Sequence, residues 1–347
     1  MSRTAVVLTA LTLILAVFLP GTMLLVTAEP TVHRVPNSKA ISQNFITNTN
    51  SGSFSSNGGV GRGFSTRIAL INFDDGYKSQ FTNAKPVLDK YGFKATFFIV
   101  CNFVGKSAKQ MNSTSIVNFA GKGVEQMTWT DVLALYKQGE MIGSHTMNHL
   151  RNMTNMSDSE LNYEIGGSKQ CLVNHGIPTT TFAYPFENGK DNVTVVKKVS
   201  QDYTYARSGN YPLMFLSCDH FSKKYSRQAD CRTYLPSGKI SYANRYSIVG
   251  WSHDYDRIAY FYNDKQMLNR FIQVVSGQDK YNRPGQSLDA IPIIVYHRID
   301  NSGAQYSTTV SFFAEEMKYL HDNGFKVINM AALVYNNVTN SLNFKNS

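Results

Sequence analysis

From Arg67 onward the chain alternates short apolar runs with amphipathic stretches. Residues 67–73, Arg-Ile-Ala-Leu-Ile-Asn-Phe, form an apolar run of strand length and predict a buried strand. Helical spacing over 80–91 stops at Gly92, and 93–100 is a second apolar run. A helix over 130–138 ended by Gly139 and a short strand at 141–143 come next. Ser157-Asp158-Ser159-Glu160 is a capping box that opens a helix closing near Gly176. Strands at 180–184 and 203–206 flank a helix over 193–200, whereas 209–251 has little periodicity and reads as loops. A helix over 264–276, a strand at 291–296, a helix over 311–323 and a strand at 325–329 complete the series. Repeated strand-then-helix units predict an α/β fold with a parallel sheet and right-handed crossovers. The polar residues of chemical interest fall where predicted strands end, the place a barrel keeps its active site.

The first strand runs out into Asn72-Phe73-Asp74-Asp75-Gly76. Adjacent aspartates at a strand end repel each other and lose hydration, so a cation or strong donors must compensate. An ordinary Asp-Gly turn also accounts for these residues, because Gly76 accepts a positive φ. A second stretch, Gly143-Ser144-His145-Thr146-Met147-Asn148-His149, adds two histidines four apart, which puts both imidazoles on one side of a turn or helix start. Two histidines and one carboxylate make an open, zinc-type site with a position left for water, as a hydrolytic metal requires.

The Asp-Asp-Gly stretch followed by His-Thr-x-x-His resembles the first two signatures of the polysaccharide deacetylases, the NodB-homology or carbohydrate esterase 4 family, and the resemblance extends over residues 66–334. It implies an irregular (β/α)7 barrel, with Asp75, His145 and His149 holding a divalent metal and Asp74 acting as general base. Zinc is the first expectation, with cobalt, nickel or iron as alternatives. Intrinsic affinity would even favour copper, so availability has to choose. Phe182-Ala183-Tyr184-Pro185-Phe186 is similar to the third signature, whose backbone N–H after the proline faces a developing oxyanion. Here that donor would belong to Phe186, with Tyr184 and Pro185 beside it, and a buried core ring is the alternative for Tyr184. Many members carry an arginine where Ala183 stands. Arg207, at the end of the next predicted strand, is the candidate replacement, and an ordinary surface arginine is the alternative. Ile291-Pro292-Ile293-Ile294-Val295-Tyr296-His297 resembles the fifth signature, in which a strand-end histidine is the general acid and needs a carboxylate to hold it cationic. The fourth signature has only a weak counterpart in Trp251-Ser252-His253-Asp254, so Asp254 or Asp256 must reach His297 for that role to stand.

At 347 residues and 42% hydrophobic content, the chain can hold one large α/β domain, placed at 66–335 with a tail over 336–347. Arg3 precedes an uncharged stretch over 4–28 that ends in Val26-Thr27-Ala28, so 1–28 is either a cleaved signal peptide or a membrane anchor. Both readings place the remainder outside the cytoplasm. The following stretch, rich in Ser, Asn, Thr and Gly, cannot bury enough surface to fold and makes 29–65 a disordered linker. A formal charge of +10 is scattered along the chain, which fits a solvated surface or a weak attraction to anionic polymers and speaks against nucleic acid. Cys101, Cys171, Cys218 and Cys231 lack metal or redox spacing. Cys218 and Cys231 could close a short loop, and Cys101 reads equally as a buried free thiol. His33, His175, His220 and His321 read as surface or core residues, and His253 is left open.

The expected activity is removal of N-acetyl groups from N-acetylglucosamine-type residues of a cell-surface polysaccharide. Hydrolysis of O-acetyl esters or of a non-sugar amide would use the same site. A surface carbohydrate-binding protein on a decayed scaffold is the alternative of a different class, and the oligomeric state is open.

Overall fold

The computed structural model describes residues 67–107, 110, 124–216, 233–234, 240–241, 245–282, 288–338 and 341–345. The export segment (1–28), the linker (29–65), Cys218, Cys231, His33 and His220 lie outside the described residues.

Seven parallel strands close into a ring: β1 (Arg67–Phe73), β2 (Ala95–Ile99), β3 (Met141–Ser144), β4 (Thr181–Ala183), β5 (Tyr205–Asn210), β6 (Ile248–Ser252) and β7 (Ile293–Tyr296). Each pairs with the next, and β7 returns to β1 with Leu70 opposite Ile293 and Phe73 opposite Tyr296. An eighth strand, β8 (Phe325–Ile328), pairs with Arg67–Leu70, while β2 takes Ile71–Phe73 farther up β1. The architecture is the irregular (β/α)7 barrel that the resemblance implies, built on the parallel sheet that the strand and helix order predicts.

The connecting helices begin where the local chemistry says they should. After π-type turns at Gln80–Ala84, α1 (Lys85–Lys90) has Pro86 in its first turn, where a missing N–H costs nothing. Capping boxes open α2 (Trp129–Lys137) through Thr128 and Asp131, and α3 (158–174) through Ser157 and Glu160. The others are α4 (Val193–Asp202), α5 (His253–Ala259), α6 (Asp264–Ser276) and α7 (Val310–Asp322).

Side-chain parity along β1 divides the core. Ala69, Ile71 and Phe73 pack outward against residues of α1, α6 and α7, whereas Ile68 and Leu70 face a second apolar group that includes Ala183, Tyr205, Val249 and Ile293. Phe73 is fully buried, with its ring 4.9 Å from Phe97 and 5.9 Å from both Tyr296 and Phe313.

Four expectations change. The stretch 209–251 contains β6 up to its last residue. Its apolar run is hidden by Gly250, and a Cβ there would meet Val295 Cγ2 at 2.9 Å, so glycine lets β6 approach β7. The predicted strand 291–296 breaks at Pro292, which has no N–H to give a ladder. Ala290–Ile291 pair instead with Met214–Phe215, outside the ring. Within the segment expected as a tail, Ser341–Phe344 forms a hairpin with Leu333–Asn336 and buries Leu342 and Phe344. Finally, Cys101 is bonded to Cys171 on α3, with Cα atoms 6.5 Å apart across 70 residues of sequence, and is not a free thiol.

Because Phe73 closes β1 under both adjacent strands, Phe73→Ala should cost about 3–5 kcal/mol of stability, read as a lower urea midpoint.

Candidate active site

Asp74, Asp75, His145, His149, His297, Tyr184 and the Pro185–Phe186 turn follow the C-terminal ends of barrel strands, and Arg207 lies within β5. A cleft of about 410 Å³ opens there, with Asp74, Asp75, His145, His149, Arg207 and His297 in its wall. Parity carries Asp74 to the same side of β1 as Ile68 and Leu70. Asp75 lies at φ 73°, a left-handed conformation unfavourable for a residue with a Cβ, and Gly76 at φ 74° completes the turn. Thr146, His149, Phe186, Glu187 and Tyr306 also have positive φ and sit on or beside the loops around the cleft. Strain of this kind persists only where the surrounding structure holds it.

Three donor atoms converge. His145 Nε2 and His149 Nε2 are 3.1 Å apart, and Asp75 Oδ1 is 3.6 Å and 3.3 Å from them. Ligands bonded tetrahedrally to one divalent ion at about 2.0–2.2 Å stand roughly 3.3–3.6 Å from one another, so the triangle has the right size. The chemistry fits as well. His145 Nδ1 donates to the Ala183 carbonyl at 2.8 Å, which leaves the Nε2 lone pair facing inward. Burial lowers the pKa of His145 against the pull of Asp74 and Asp75, and holds His149 well below its ordinary value, with the charges of His145, His297 and Arg151 adding to the effect. Both shifts favour the neutral ring, the form that can ligate. Asp75 Oδ1 is buried and accepts no hydrogen bond among the described residues. Burial and the adjacent Asp74 raise the Asp75 pKa more than His297 and His145 lower it. A buried carboxylate oxygen meeting two imidazole lone pairs is unfavourable alone and favourable around a cation.

The histidine loop is fastened from two sides. Cys101 N–H donates to the Thr146 carbonyl at 3.1 Å, and Asn102 N–H to that of Met147 at 3.0 Å. From α3, the Glu164 carboxylate accepts from the backbone N–H of Met147 and Asn148 and from the Asn148 side chain.

Arg207 is buried, not a surface residue. Its Nη2 donates to Asp74 Oδ2 at 2.5 Å, and its guanidinium lies 5.1 Å from the centre of the Phe98 ring. It stands opposite Ala183 in the β4–β5 register, so it reaches the cleft from the neighbouring strand. Burial would raise the Asp74 pKa, but Arg207 first, then His145 and His297, bring it below the usual carboxylate value. Asp74 Oδ1 is buried and accepts no hydrogen bond among the described residues, so one oxygen is bound and the other available.

His297, just past β7, donates its backbone N–H to Asp254 Oδ2 at 2.9 Å, and its Nδ1 lies 3.3 Å from the same oxygen. Burial alone would lower this histidine. Asp254, with the charges of Asp75 and Asp74, outweighs it and pushes the pKa up to about 9. Asp254 is therefore the carboxylate that reaches His297, whereas Asp256 is taken by Trp251 Nε1 and Arg270.

Tyr184 is a core ring. It is 2% exposed, lies edge-on to Phe182, and donates its hydroxyl to the Tyr246 carbonyl at 3.2 Å. Pro185 is buried, and Phe186 sets its ring edge-on to His149 at 4.4 Å, under the Arg151 guanidinium at 3.6 Å. His175 stacks on Trp129, and His321 is on the surface beside Asp322. Two further residues near the cleft escaped the sequence reading: Tyr77, which hydrogen-bonds Asp75, and Glu316, which is buried against His253, the histidine left open above. Glu316 does carry a signal, a lone carboxylate among Phe312, Phe313, Met317 and Leu320 on the apolar face of α7.

Residues 62–206 match the family model described as polysaccharide deacetylase. The matched segment contains Asp74, Asp75, His145, His149 and the Tyr184–Phe186 turn, and it ends one residue before Arg207. Among curated proteins, the chain is 30% identical over 122 residues to the Bacillus subtilis protein named "Putative polysaccharide deacetylase YxkH", and 26% identical over 125 residues to a gellan lyase of a Bacillus species. Each alignment covers 35% of this chain, and they span 37% and 4% of those relatives respectively. Solved structures to which the chain is similar include the peptidoglycan deacetylase PdaC from Bacillus subtilis, at 15% identity and a TM-score of 0.41 over 77% of this chain and 89% of that one. Another is the Bc1960 peptidoglycan N-acetylglucosamine deacetylase, at 16% identity and a TM-score of 0.43 over 76% and 86%.

If Asp75, His145 and His149 share one ion, protein purified in zinc-supplemented buffer should hold about one divalent ion per chain by elemental analysis, and His145→Ala/His149→Ala should hold essentially none while keeping its circular dichroism.

Proposed function

We propose that the chain is a metal-dependent hydrolase that removes N-acetyl groups from N-acetylglucosamine-type residues of a cell-surface or extracellular polysaccharide. The observation that carries this reading is the disposition of Asp74 and His297, a carboxylate with an available oxygen and a carboxylate-held imidazole, about the Asp75, His145 and His149 donor set. The family match over the segment that holds both the Asp-Asp-Gly and His-Thr-x-x-His stretches supports it.

A divalent ion held by those three residues, zinc in the first place or cobalt, nickel or iron, would supply Lewis acidity that polarises the acetyl carbonyl and acidifies water. The remaining tasks belong to the chain. Asp74 takes the proton of the attacking water onto Oδ1, while Arg207 fixes Oδ2 and keeps the group ionised until then. The backbone N–H of Phe186 faces the oxyanion that develops on the carbonyl. His297 then gives the Nε2 proton to the amine nitrogen as the C–N bond breaks, and Asp254 keeps Nδ1 occupied. Acetate and a free amino sugar result.

In this reading 1–28 directs the chain out of the cytoplasm, as a cleaved signal or an anchor, and the barrel domain acts on surface or extracellular glycan. No helix among the described residues is long and apolar enough to cross a membrane.

Acetate release from N-acetyl-chitooligosaccharides should exceed release from acetylated xylan, and the reverse ranking would make the enzyme an O-acetyl esterase. Asp74→Asn should lower kcat about a hundredfold or more with glycan binding retained. Glycan binding with no turnover in either protein would mark a carbohydrate-binding protein instead. Because His297 must be protonated to act and its pKa is raised, activity should persist through neutral pH and fall as pH rises through about 9.

A further inference from the structure

Behind His297 stands a second row of polar side chains that the cleft does not use. His253 is the first residue of α5, its ring is 0% exposed, and both nitrogens face carboxylate oxygens: Nδ1 lies 3.1 Å from Asp254 Oδ1 and Nε2 lies 2.7 Å from Glu316 Oε1. Glu316, also 0% exposed, takes the Tyr296 hydroxyl on its other oxygen at 2.8 Å, and Tyr296 is the residue before His297. Thr308 donates to Asp254 Oδ1 at 2.6 Å.

This packing leaves little choice of protonation. Burial pulls Glu316 toward its neutral form, while the neighbouring carboxylates pull His253 toward its charged form, so the two compete for the proton between Nε2 and Oε1. The outcome does not alter the other side of the ring. With that proton on His253 the ring is an imidazolium, and with it on Glu316 the neutral ring keeps its own proton on Nδ1. In both cases Nδ1–H donates to Asp254. Asp254 is then bound on Oδ1 by His253 and Thr308 and on Oδ2 by His297, which accounts for its place without water.

We propose that His253 and Glu316 are positioning residues for His297: the proton they share makes His253 a donor to one oxygen of Asp254, and the other oxygen is thereby turned to His297 and held there. The inference rests on the reading of His297 as the proton donor. The groups facing this row are few. Around His253 they are Asp254 and Arg257 of α5, Thr308, Glu316 of α7 and Tyr296 of β7. Around His297 they are Asp254, Asp74, Asp75, His149 and the Tyr306 ring at 5.1 Å. A histidine merely filling the core would need no particular proton on Nδ1.

The test has a spectroscopic arm and a kinetic arm, both on the full chain. With 15N-labelled histidine, His253 should show a slowly exchanging proton on Nδ1 in the wild type and in Glu316→Gln, displaced when Asp254→Asn removes the carboxylate. A proton-free Nδ1 would overturn the proposal whatever the enzyme turns out to hydrolyse. In acetate release, His253→Gln should lower kcat about tenfold with KM held, and should add no further loss to Asp254→Asn, because it acts through that residue. Unchanged kcat, or losses that multiply, would overturn it. If His253→Gln does not fold, Glu316→Leu carries the kinetic arm with the same expectations. A wild type that releases no acetate would sink the functional reading, while the Nδ1 proton signal would still decide how His253 is held.

Discussion

Two carboxylates placed side by side at the mouth of a barrel, both nearly out of water, cannot both stay ionised without positive charge close to each. The cleft is arranged around that constraint. Arg207 answers Asp74 with a direct hydrogen bond, and the neutral imidazoles of His145 and His149 leave Asp75 in want of a cation. The two aspartates are thereby made unequal. One has an oxygen tied and an oxygen open, and the other has an oxygen that only an ion would satisfy. A division of labour between proton acceptor and metal ligand follows from electrostatics before any substrate is considered.

The same constraint explains the backbone. Bringing Asp75 and His149 to one point requires positive φ at both, and the neighbouring loops are bent the same way at Thr146 and Phe186. Such conformations cost roughly 1–3 kcal/mol each and survive because rigid surroundings impose them. Here the surroundings are the closed ring below and the hydrogen bonds of Gln80, whose side-chain amide ties the Asp74 carbonyl to that of His297.

Much of this was legible in the residue order. The apolar runs at 67–73 and 93–100 became β1 and β2, and the Ser157 capping box opens α3. The spacing of His145 and His149 does bring their Nε2 atoms together. What escaped has physical causes. Gly250 interrupts the apolar run of β6 because two strands must pass closely there. Pro292 splits an unbroken apolar run because it cannot donate. The partner of Cys101 lies 70 residues away, a distance over which spacing carries no information. Arg207 was recognisable only from a gap at Ala183, since the two meet across a strand register and not within one motif. Asp254 could be named but not placed, for its role depends on where α5 begins, directly after β6, the strand that was missed.

One further consequence lies in α3, which sends two fasteners of unlike chemistry to a single loop. Glu164 grips the 147–148 backbone by hydrogen bonds that do not depend on oxidants, and Cys171 grips the Cys101 turn, which touches the same loop, by a bond that reductants open. Electrons delivered to that sulfur pair would release one anchor and spare the other. The imidazole pair would then be slackened, not scattered, and the barrel beneath would stay shut.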